Sequence, residues 1–232
     1  MPATPLPPSG HIPSSNGEVK TCDASGMAMI HRMFKAGFGE APGLVRDVAP
    51  GDIQRVNAIA TQLNLLSVSL HTHHEGEDER LWGALASRAP SCAAHVERMK
   101  AQHDAMLVQL ARMDAALPPW HKSAATQGAD ALVAALDGIN AALAVHLPDE
   151  EAHIVPVMEA VITQDEVEWF GEHGRKATPK GQTWNALGAI LASQPDGGQE
   201  MLRHDLPVPA RLLWRWVGKR KYAKTRAALE GR

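Results

Sequence analysis

The chain has 232 residues, of which 44% are hydrophobic and only 4% aromatic, and it carries a formal net charge of −3. The length suits one domain of moderate size with appendages, and a core built from Ala, Leu, Val and Met favours helix over sheet. The small net charge excludes a global electrostatic attraction to nucleic acid or to acidic membranes, so we expect neither as a partner.

The cysteine and hydropathy patterns predict a cytoplasmic protein. Cys22 and Cys92 are the only cysteines; they are too few for a disulfide framework, and we interpret them as reduced thiols. Residues 1–20 contain Pro, Ser and Gly without the apolar segment of a signal peptide, so we predict a disordered tail there. No apolar run is long enough to cross a bilayer, and we expect no membrane span.

The first predicted helix begins near Asp23 or Ser25, because either residue can cap a helix N-terminus. Three helix breakers are expected to end it soon after Ala36: Gly37, Gly39 and Pro42. The second helix runs from about Asp52 into the region of Leu81 and Trp82. Its apolar stripe has helical spacing and consists of Val56, Ile59, Leu63, Leu66 and Leu70.

The third helix is predicted from about Ser91 to Leu117, where Pro118 and Pro119 stop it. Its inward-facing residues are Met99, Met106, Leu110 and Met113. A fourth helix spans roughly residues 128–161. Four long amphipathic segments with modest loops predict an all-α, antiparallel up-down four-helix bundle over residues 21–163.

A helical C-terminal extension is predicted for residues 164–232. Short helices are expected near residues 165–172, 180–192 and 209–229. The last of these carries a basic run with Trp214 and Trp216. It is either a solvated helix that packs its tryptophans on the bundle or a segment that binds a partner.

Two predicted helices carry a histidine followed four residues later by a carboxylate. The second helix has His73 and Glu77, and the fourth has His146 and Glu150. Four residues advance a helix by about 400°, so both side chains of each pair lie on one face, about one turn apart. Imidazole with carboxylate suits iron, manganese or zinc. A single pair occurs by chance on surface helices, but two pairs on apolar stripes indicate a compensating cation.

The remaining two helices each add a histidine among apolar residues, His31 and His103. Bundle cores build dinuclear sites from inward-facing groups of several helices, so these histidines are also candidate ligands. Two alternatives remain open. His74 with Asp78 is a second register for the first pair, and Glu151 can replace Glu150. The second alternative arises because Pro148, inside the motif, can kink the helix.

The segments HHEGEDERLW (residues 73–82), HLPDEEAHIVP (residues 146–156) and IHRMF (residues 30–34) resemble the hemerythrin-like, or HHE cation-binding, family. The tail is similar to an actinobacterial branch of that family. The resemblance implies two iron ions joined by an oxo or hydroxo bridge. The implied ligands are His31 and His73 on one iron, His103 and His146 on the other, and Glu77 and Glu150 as bridges. Further hydrogen bonds to ligand imidazoles are expected from His71, His74, Asp78 and Glu151.

Oxygen-carrying members of the family have a second histidine four residues along the third helix, where this chain has Leu107. Two imidazoles, two bridging carboxylate oxygens and one solvent bridge would give each octahedral iron five ligands and one open position, which favours reaction with an oxidant over reversible carriage. We therefore expect a protein that binds or reduces peroxide, nitric oxide or dioxygen, with an unidentified electron donor. The alternative is an iron- or oxygen-sensing or iron-binding module without turnover. A monomer or weak homo-oligomer is expected, and mononuclear zinc is disfavoured because zinc takes fewer ligands.

Overall fold

The computed structural model describes residues 12–13 and 19–232. Two short strands, Ile12–Pro13 and Val19–Lys20, pair antiparallel before the first helix. The predicted disordered tail of residues 1–20 falls largely outside the described residues and stays a prediction.

Four long helical segments form the bundle. Helix α1 packs against α2 and α5, and α4 also packs against α2 and α5, so the helices enclose one interior. A π-helical turn, Glu77–Leu81, joins α2 to α3, and a 3₁₀ turn, Pro90–Cys92, leads into α4. The helices are α1 (Ser25–Arg46), α2 (Ile53–Gly76), α3 (Trp82–Arg88), α4 (Ala93–Lys122), α5 (Ala129–His153) and α6 (Val155–Val161). The predicted all-α four-helix bundle is confirmed.

Helix α1 does not end at Ala36, so the predicted stop is wrong. The helix continues through Gly37, Gly39 and Pro42 to Arg46. A Cβ atom at Gly37 would lie 2.6 Å from Cδ2 of the buried Leu66. Gly37 therefore serves the close approach of α1 and α2, and burial of its face outweighs the low helix propensity of glycine.

Helix α4 likewise continues past Pro118 and Pro119 to Lys122, contrary to the predicted stop. Trp120, in its last turn, is fully buried in the main apolar cluster. Burial of a tryptophan is worth more than the backbone hydrogen bonds that the two prolines remove, so the helix is held onto the bundle. The predicted fourth helix is interrupted at Ile154, which separates α5 from α6.

Two apolar clusters fill the bundle on either side of a polar layer. The larger contains the predicted stripe of α2 together with Phe34, Met106 and Leu110. The smaller contains Met27, Leu81, Trp82 and Met99. The predicted inward faces of the second and third helices are therefore confirmed. Since His31 lies between Met27 and Phe34, and His103 between Met99 and Met106, the two histidines mark the boundary between the clusters.

The chain after α6 forms further helices on the outside of the bundle. Thr163 begins the first with a capping box, because its hydroxyl accepts from the backbone N–H of Glu166 and the Glu166 carboxylate accepts from the backbone N–H of Thr163. Helix α7 packs on α2, α8 on α1, and α11 on α2 and α8. A π-helical turn, Trp214–Gly218, joins the last two helices. They are α7 (Gln164–Ala177), α8 (Thr183–Ser193), α9 (Gln199–His204), α10 (Val208–Leu213) and α11 (Lys219–Leu229); α9 had not been predicted.

Among the described residues, one helical stretch, Ala129–Val161, is long and apolar enough to cross a bilayer by length and composition alone. The sequence analysis had not identified such a span. The stretch is α5 with α6, and it carries His146 and Glu150 into the bundle interior. A core helix of a bundle meets the same criterion, so this feature is weak evidence for membrane insertion.

Candidate metal centre

The bundle interior contains a compact group of histidines and glutamates. All six predicted ligands lie in it, and the structure adds His74 as a seventh member. The fold buries six of the seven, and His73 retains the most exposure, 11% of its side chain. The predicted ligands are His31, His73, Glu77, His103, His146 and Glu150.

The seven residues form two adjoining groups whose potential ligand atoms lie within 4.8 Å of one another in each group. The first group takes one residue from each of three helices: His31 from α1, His73 from α2 and Glu150 from α5. The second consists of His74, Glu77, His103 and His146. Every long helix of the bundle therefore contributes, and each group has the residue types of a metal site.

Both carboxylates face the two groups at once. Oε1 of Glu77 lies 3.3 Å from Nε2 of His73, and its Oε2 lies 3.3 Å from Nε2 of His103. Oε2 of Glu150 lies 3.3 Å from Nε2 of His31 and 3.4 Å from Nε2 of His146. Each glutamate thus has imidazoles of both groups beside it, which is the arrangement expected of bridging carboxylates in a dinuclear site.

Hydrogen bonds orient three of the imidazoles so that Nε2 points inward. The Nδ1–H of His31 donates to Oε1 of Glu151 over 2.9 Å, and that of His103 donates to Oδ1 of Asp78 over 3.0 Å. Both acceptors had been predicted from the sequence. Since a carboxylate accepts at Nδ1, the proton stays there and the Nε2 lone pair is free for a cation.

His146 obtains its acceptor from a side-chain amide that the sequence analysis missed. Oε1 of Gln102 lies 3.0 Å from Nδ1 of His146, and Nε2 of Gln102 donates to Asp149. Arg98 holds Asp149 with two further hydrogen bonds, and the guanidinium lowers the pKa of that carboxyl well below its usual value. The ionised Asp149 sets the orientation of the Gln102 amide and so the tautomer of His146.

The π-helical turn begins at Glu77 and positions the acidic residues that follow His74. The Nε1–H of Trp82 donates to Oδ1 of Asp78 over 2.6 Å, the same oxygen that accepts from His103. A π turn inserts an additional residue into a helix and often occurs at functional sites. Here it allows Glu77 to face the interior while Asp78, the next residue, supports His103.

The sequence left two choices open, His73 or His74 and Glu150 or Glu151. In the structure both histidines belong to the buried group, whereas of the two glutamates only Glu150 does. Adjacent residues differ by about 100° around a helix. Because α2 lies between α1 and α4, His73 faces His31, and His74 stacks on His103 with ring centroids 4.0 Å apart. Glu150 is fully buried within the group, whereas Glu151 is partly exposed and supports His31 from outside. Pro148 is accommodated within α5.

Burial holds the imidazoles in the neutral form that binds metals. Desolvation lowers the pKa of His73 to about 3 and that of His146 to about 4. It also lowers the pKa of His74 well below the ordinary value. These imidazoles therefore stay unprotonated at neutral pH, and no proton has to leave them before a cation binds.

The pKa values of the two buried carboxyls are shifted in opposite directions. Burial raises the pKa of Glu77 well above its ordinary value, and the negative charge of Glu150 adds to the effect. Burial alone would also raise the pKa of Glu150, but the imidazoles of His31 and His146 outweigh it and lower that pKa to about 2.

One further observation indicates that these residues can hold a cation. Eight buried ligand-type atoms of the seven residues have no hydrogen-bond partner among the described residues. Buried polar atoms without partners are costly, and buried carboxylates more so, unless a cation compensates them. These atoms are both ring nitrogens of His74, both carboxylate oxygens of Glu77 and Glu150, and Nε2 of His103 and His146.

Aromatic side chains line the metal centre, and other candidate residues lie away from it. Phe34 packs 5.4 Å from the ring of His73, and Trp82 packs 5.5 Å from that of His103. His71, considered for a supporting role, is half-buried, and its Nε2 lies 3.7 Å from Oδ2 of Asp114 instead.

Comparison with known proteins agrees with this geometry. A family model described as the hemerythrin HHE cation binding domain matches residues 24–158. Neither the curated proteins nor the solved structures gave a match. The matched range is more than half of the chain and includes all seven residues of the buried group. The chain belongs to the hemerythrin HHE cation-binding family.

Proposed function

We propose that the protein holds two iron ions in its bundle core and binds or reduces one small oxidant there: peroxide, nitric oxide or dioxygen. The observation that supports two ions is the position of Glu77 and Glu150, each of which faces imidazoles of both groups. Iron, when bound, would supply the redox change.

The protein would supply different numbers of imidazoles to the two ions. His31 and His73 serve the first group, whereas His74, His103 and His146 serve the second, and both carboxylates are shared. The ligand set implied by the family resemblance has two imidazoles for each ion and therefore one open position on each. With His74 included, octahedral coordination and one solvent bridge leave a position open only in the first group. The small molecule would therefore enter beside His31 and His73.

The surrounding side chains would exclude water and bulky molecules. Phe34 and Leu70 are fully buried on the side of His73, and Met106 on that of His103. His73, with 11% of its side chain exposed, is the most accessible of the seven donors. An apolar surrounding with one accessible imidazole suits a small uncharged molecule.

Stopped-flow absorbance of protein reconstituted with iron(II) under anaerobic conditions tests this function. We expect rapid changes in the iron chromophore on mixing with at least one of hydrogen peroxide, nitric oxide or dioxygen. Protein loaded with zinc, which has no redox chemistry, is the control. An iron chromophore that none of the three changes would exclude the oxidant-handling role.

A sensing role without turnover is the second candidate. Helix α7 packs on α2 at Gly76, where a Cβ atom would lie 3.3 Å from the ring of Phe170. Since Gly76 directly precedes Glu77, a structural change at Glu77 would reach α7 through this contact. If the protein is a sensor, we expect an oxidant to alter amide hydrogen exchange in α7 without being consumed. Consumption of several equivalents per protein would favour the enzyme.

A further inference from the structure

The last helical segment of the chain has an unusual distribution of charge. Helices α10 and α11, with the π-helical turn between them, span residues 208–229. This segment contains seven Lys and Arg residues and no Asp or Glu, although the whole chain has a net charge of −3. The whole-chain charge, from which we expected no membrane partner, therefore conceals a local basic surface.

The same segment also concentrates exposed apolar side chains. Nine large hydrophobic residues are exposed among those that the structure describes. Five of them lie inside this segment, in the ten consecutive residues 208–217. Trp216 is 60% exposed and Val208 is 58% exposed. The other three are Leu212, Leu213 and Val217. Single exposed hydrophobic residues are ordinary, but five within ten consecutive residues, interspersed with cations, indicate an interaction surface.

The opposite face of the segment is firmly packed on the protein. Trp214 is buried near Trp184, and a Cβ atom at Gly218 would lie 2.5 Å from the rings of both. Further along, Arg226 forms a bidentate ion pair with Glu40, and Leu229 is fully buried. Trp214 therefore packs against Trp184 of α8, whereas Trp216 is exposed. Packing of both tryptophans on the bundle, one of the two alternatives for this segment, is wrong for Trp216. Because the inner face is already occupied, the outer apolar face needs a different covering.

The charges indicate what that covering is. Six cations of the segment form no ion pair with a described carboxylate: Arg211, Arg215, Lys219, Arg220, Lys221 and Lys224. A symmetric contact with a second copy would bring these six against six equal charges, which is unfavourable. Nucleic acid would satisfy the cations but would leave the aliphatic residues against phosphates. An anionic bilayer offers acidic headgroups beside an apolar interior and matches both features.

We propose that residues 208–224 form a docking surface for anionic lipid bilayers. Trp216, with Leu212 and Leu213, would enter the boundary between headgroups and acyl chains. The flanking cations would contact the acidic headgroups. Docking would hold the bundle at a membrane surface without inserting any of its long helices.

Co-sedimentation of the iron-loaded full-length protein with lipid vesicles tests this surface. We expect binding to vesicles of phosphatidylcholine mixed with phosphatidylglycerol to exceed binding to pure phosphatidylcholine at least about tenfold, and to weaken as salt is raised. Equal binding to the two kinds of vesicle, or none to either, would contradict the proposal. Tighter binding to duplex DNA or RNA than to the anionic vesicles would also overturn it.

Matched variants distinguish binding by this surface from nonspecific adsorption of the protein to vesicles. Lys219→Glu with Lys221→Glu, and separately Leu212→Ser with Trp216→Ser, should each reduce binding to anionic vesicles at least about tenfold. The controls are Lys35→Glu with Lys180→Glu, and Val108→Ser with Val145→Ser, which change exposed residues elsewhere. The controls should bind as the unmodified protein does. Equal losses in the control and test variants would contradict a local docking surface.

Discussion

The imidazole of His74 stacks on that of His103 with ring centroids 4.0 Å apart and an interplanar angle of 18°. Neither ring nitrogen of His74 has a hydrogen-bond partner among the described residues, although the side chain is buried. A buried imidazole with two free nitrogens, beside Glu77 and His146, has the position of a metal ligand. In the proposed dinuclear site it would take the place of the third-helix histidine, where this chain has Leu107.

His74 should make the two irons unequal. We expect iron-loaded protein to give two distinct quadrupole doublets in its Mössbauer spectrum, because the two groups supply different numbers of imidazoles. His74→Leu should bring the doublets together and weaken metal binding by the second group more than about 100-fold. This exceeds the effect typical of supporting residues. His71→Leu, which changes a half-buried histidine of the same helix outside the group, is the control. Identical spectra for His74→Leu and the unmodified protein would remove His74 from the ligand set.

Glu77 should destabilise the metal-free protein as the pH rises. Its folded-state pKa is raised above the ordinary value of 4.5 by burial. The stability it contributes is therefore complete below pH 4.5 and falls by about 1.4 kcal/mol for each pH unit above that, until the folded pKa is reached. Glu77→Gln has no such proton and should become more stable than the metal-free parent as pH increases, while losing metal binding.

Urea denaturation of both metal-free proteins, at about pH 5 and about pH 8, measures this difference. Glu75→Gln changes an exposed carboxylate two residues away and should follow the parent at both values. If the stabilities of Glu77→Gln and the parent change in parallel with pH, Glu77 is ionised in the folded protein and the expectation is wrong.

Asp78 should affect the metal affinity through its hydrogen bond with His103 rather than as a metal ligand. It accepts hydrogen bonds from His103 and Trp82, so Asp78→Ala should lower metal affinity about 10–100-fold, as loss of a supporting acceptor does. Asp78→Asn keeps an accepting oxygen and should recover part of that loss. Glu79→Ala, at an exposed neighbouring position, is the control. Competition with a metal chelator gives the affinities, and equal values for Asp78→Ala and Glu79→Ala would contradict this role.

Two glycines of α1 should respond oppositely to alanine. Gly37→Ala places a methyl group against Leu66 and should destabilise the protein by about 1–3 kcal/mol. Gly39→Ala meets nothing within 4 Å and should stabilise it by up to about 1 kcal/mol, since alanine favours helix. Thermal unfolding followed by circular dichroism compares them. Stabilisation by both substitutions would show that the close approach of α1 and α2 is not required.

The sequence predicts the bundle well because helical periodicity and buried stripes are local properties. Each of the four long helices was anticipated, as was the convergence of His31, His73, His103 and His146. Helix ends were less predictable, since Gly37 and Pro118 act as breakers only when packing does not outweigh them. The burial of Leu66 against α1 and of Trp120 in the core depends on partners distant in sequence, which local propensity does not contain.

The buried group of candidate ligands was predicted incompletely for a geometric reason. A periodic pattern assigns one of two adjacent residues to the interior, so His73 and His74 looked like alternatives. Since α2 touches two other helices of the bundle, both directions are interior. Gln102 was missed because a glutamine next to a candidate histidine has no distinctive spacing. Its role depends on Asp149 and Arg98, which lie on two different helices.

Metal analysis with an absorption spectrum of the same sample, purified from cells supplied with iron, tests the central claim most directly. That claim is that the seven buried donors hold a pair of irons bridged by Glu77 and Glu150. We expect two irons per chain and the charge-transfer bands of an oxo-bridged pair, with both lost in Glu77→Gln. A single metal ion per chain, or iron bound without those bands and unaffected by Glu77→Gln, would contradict it.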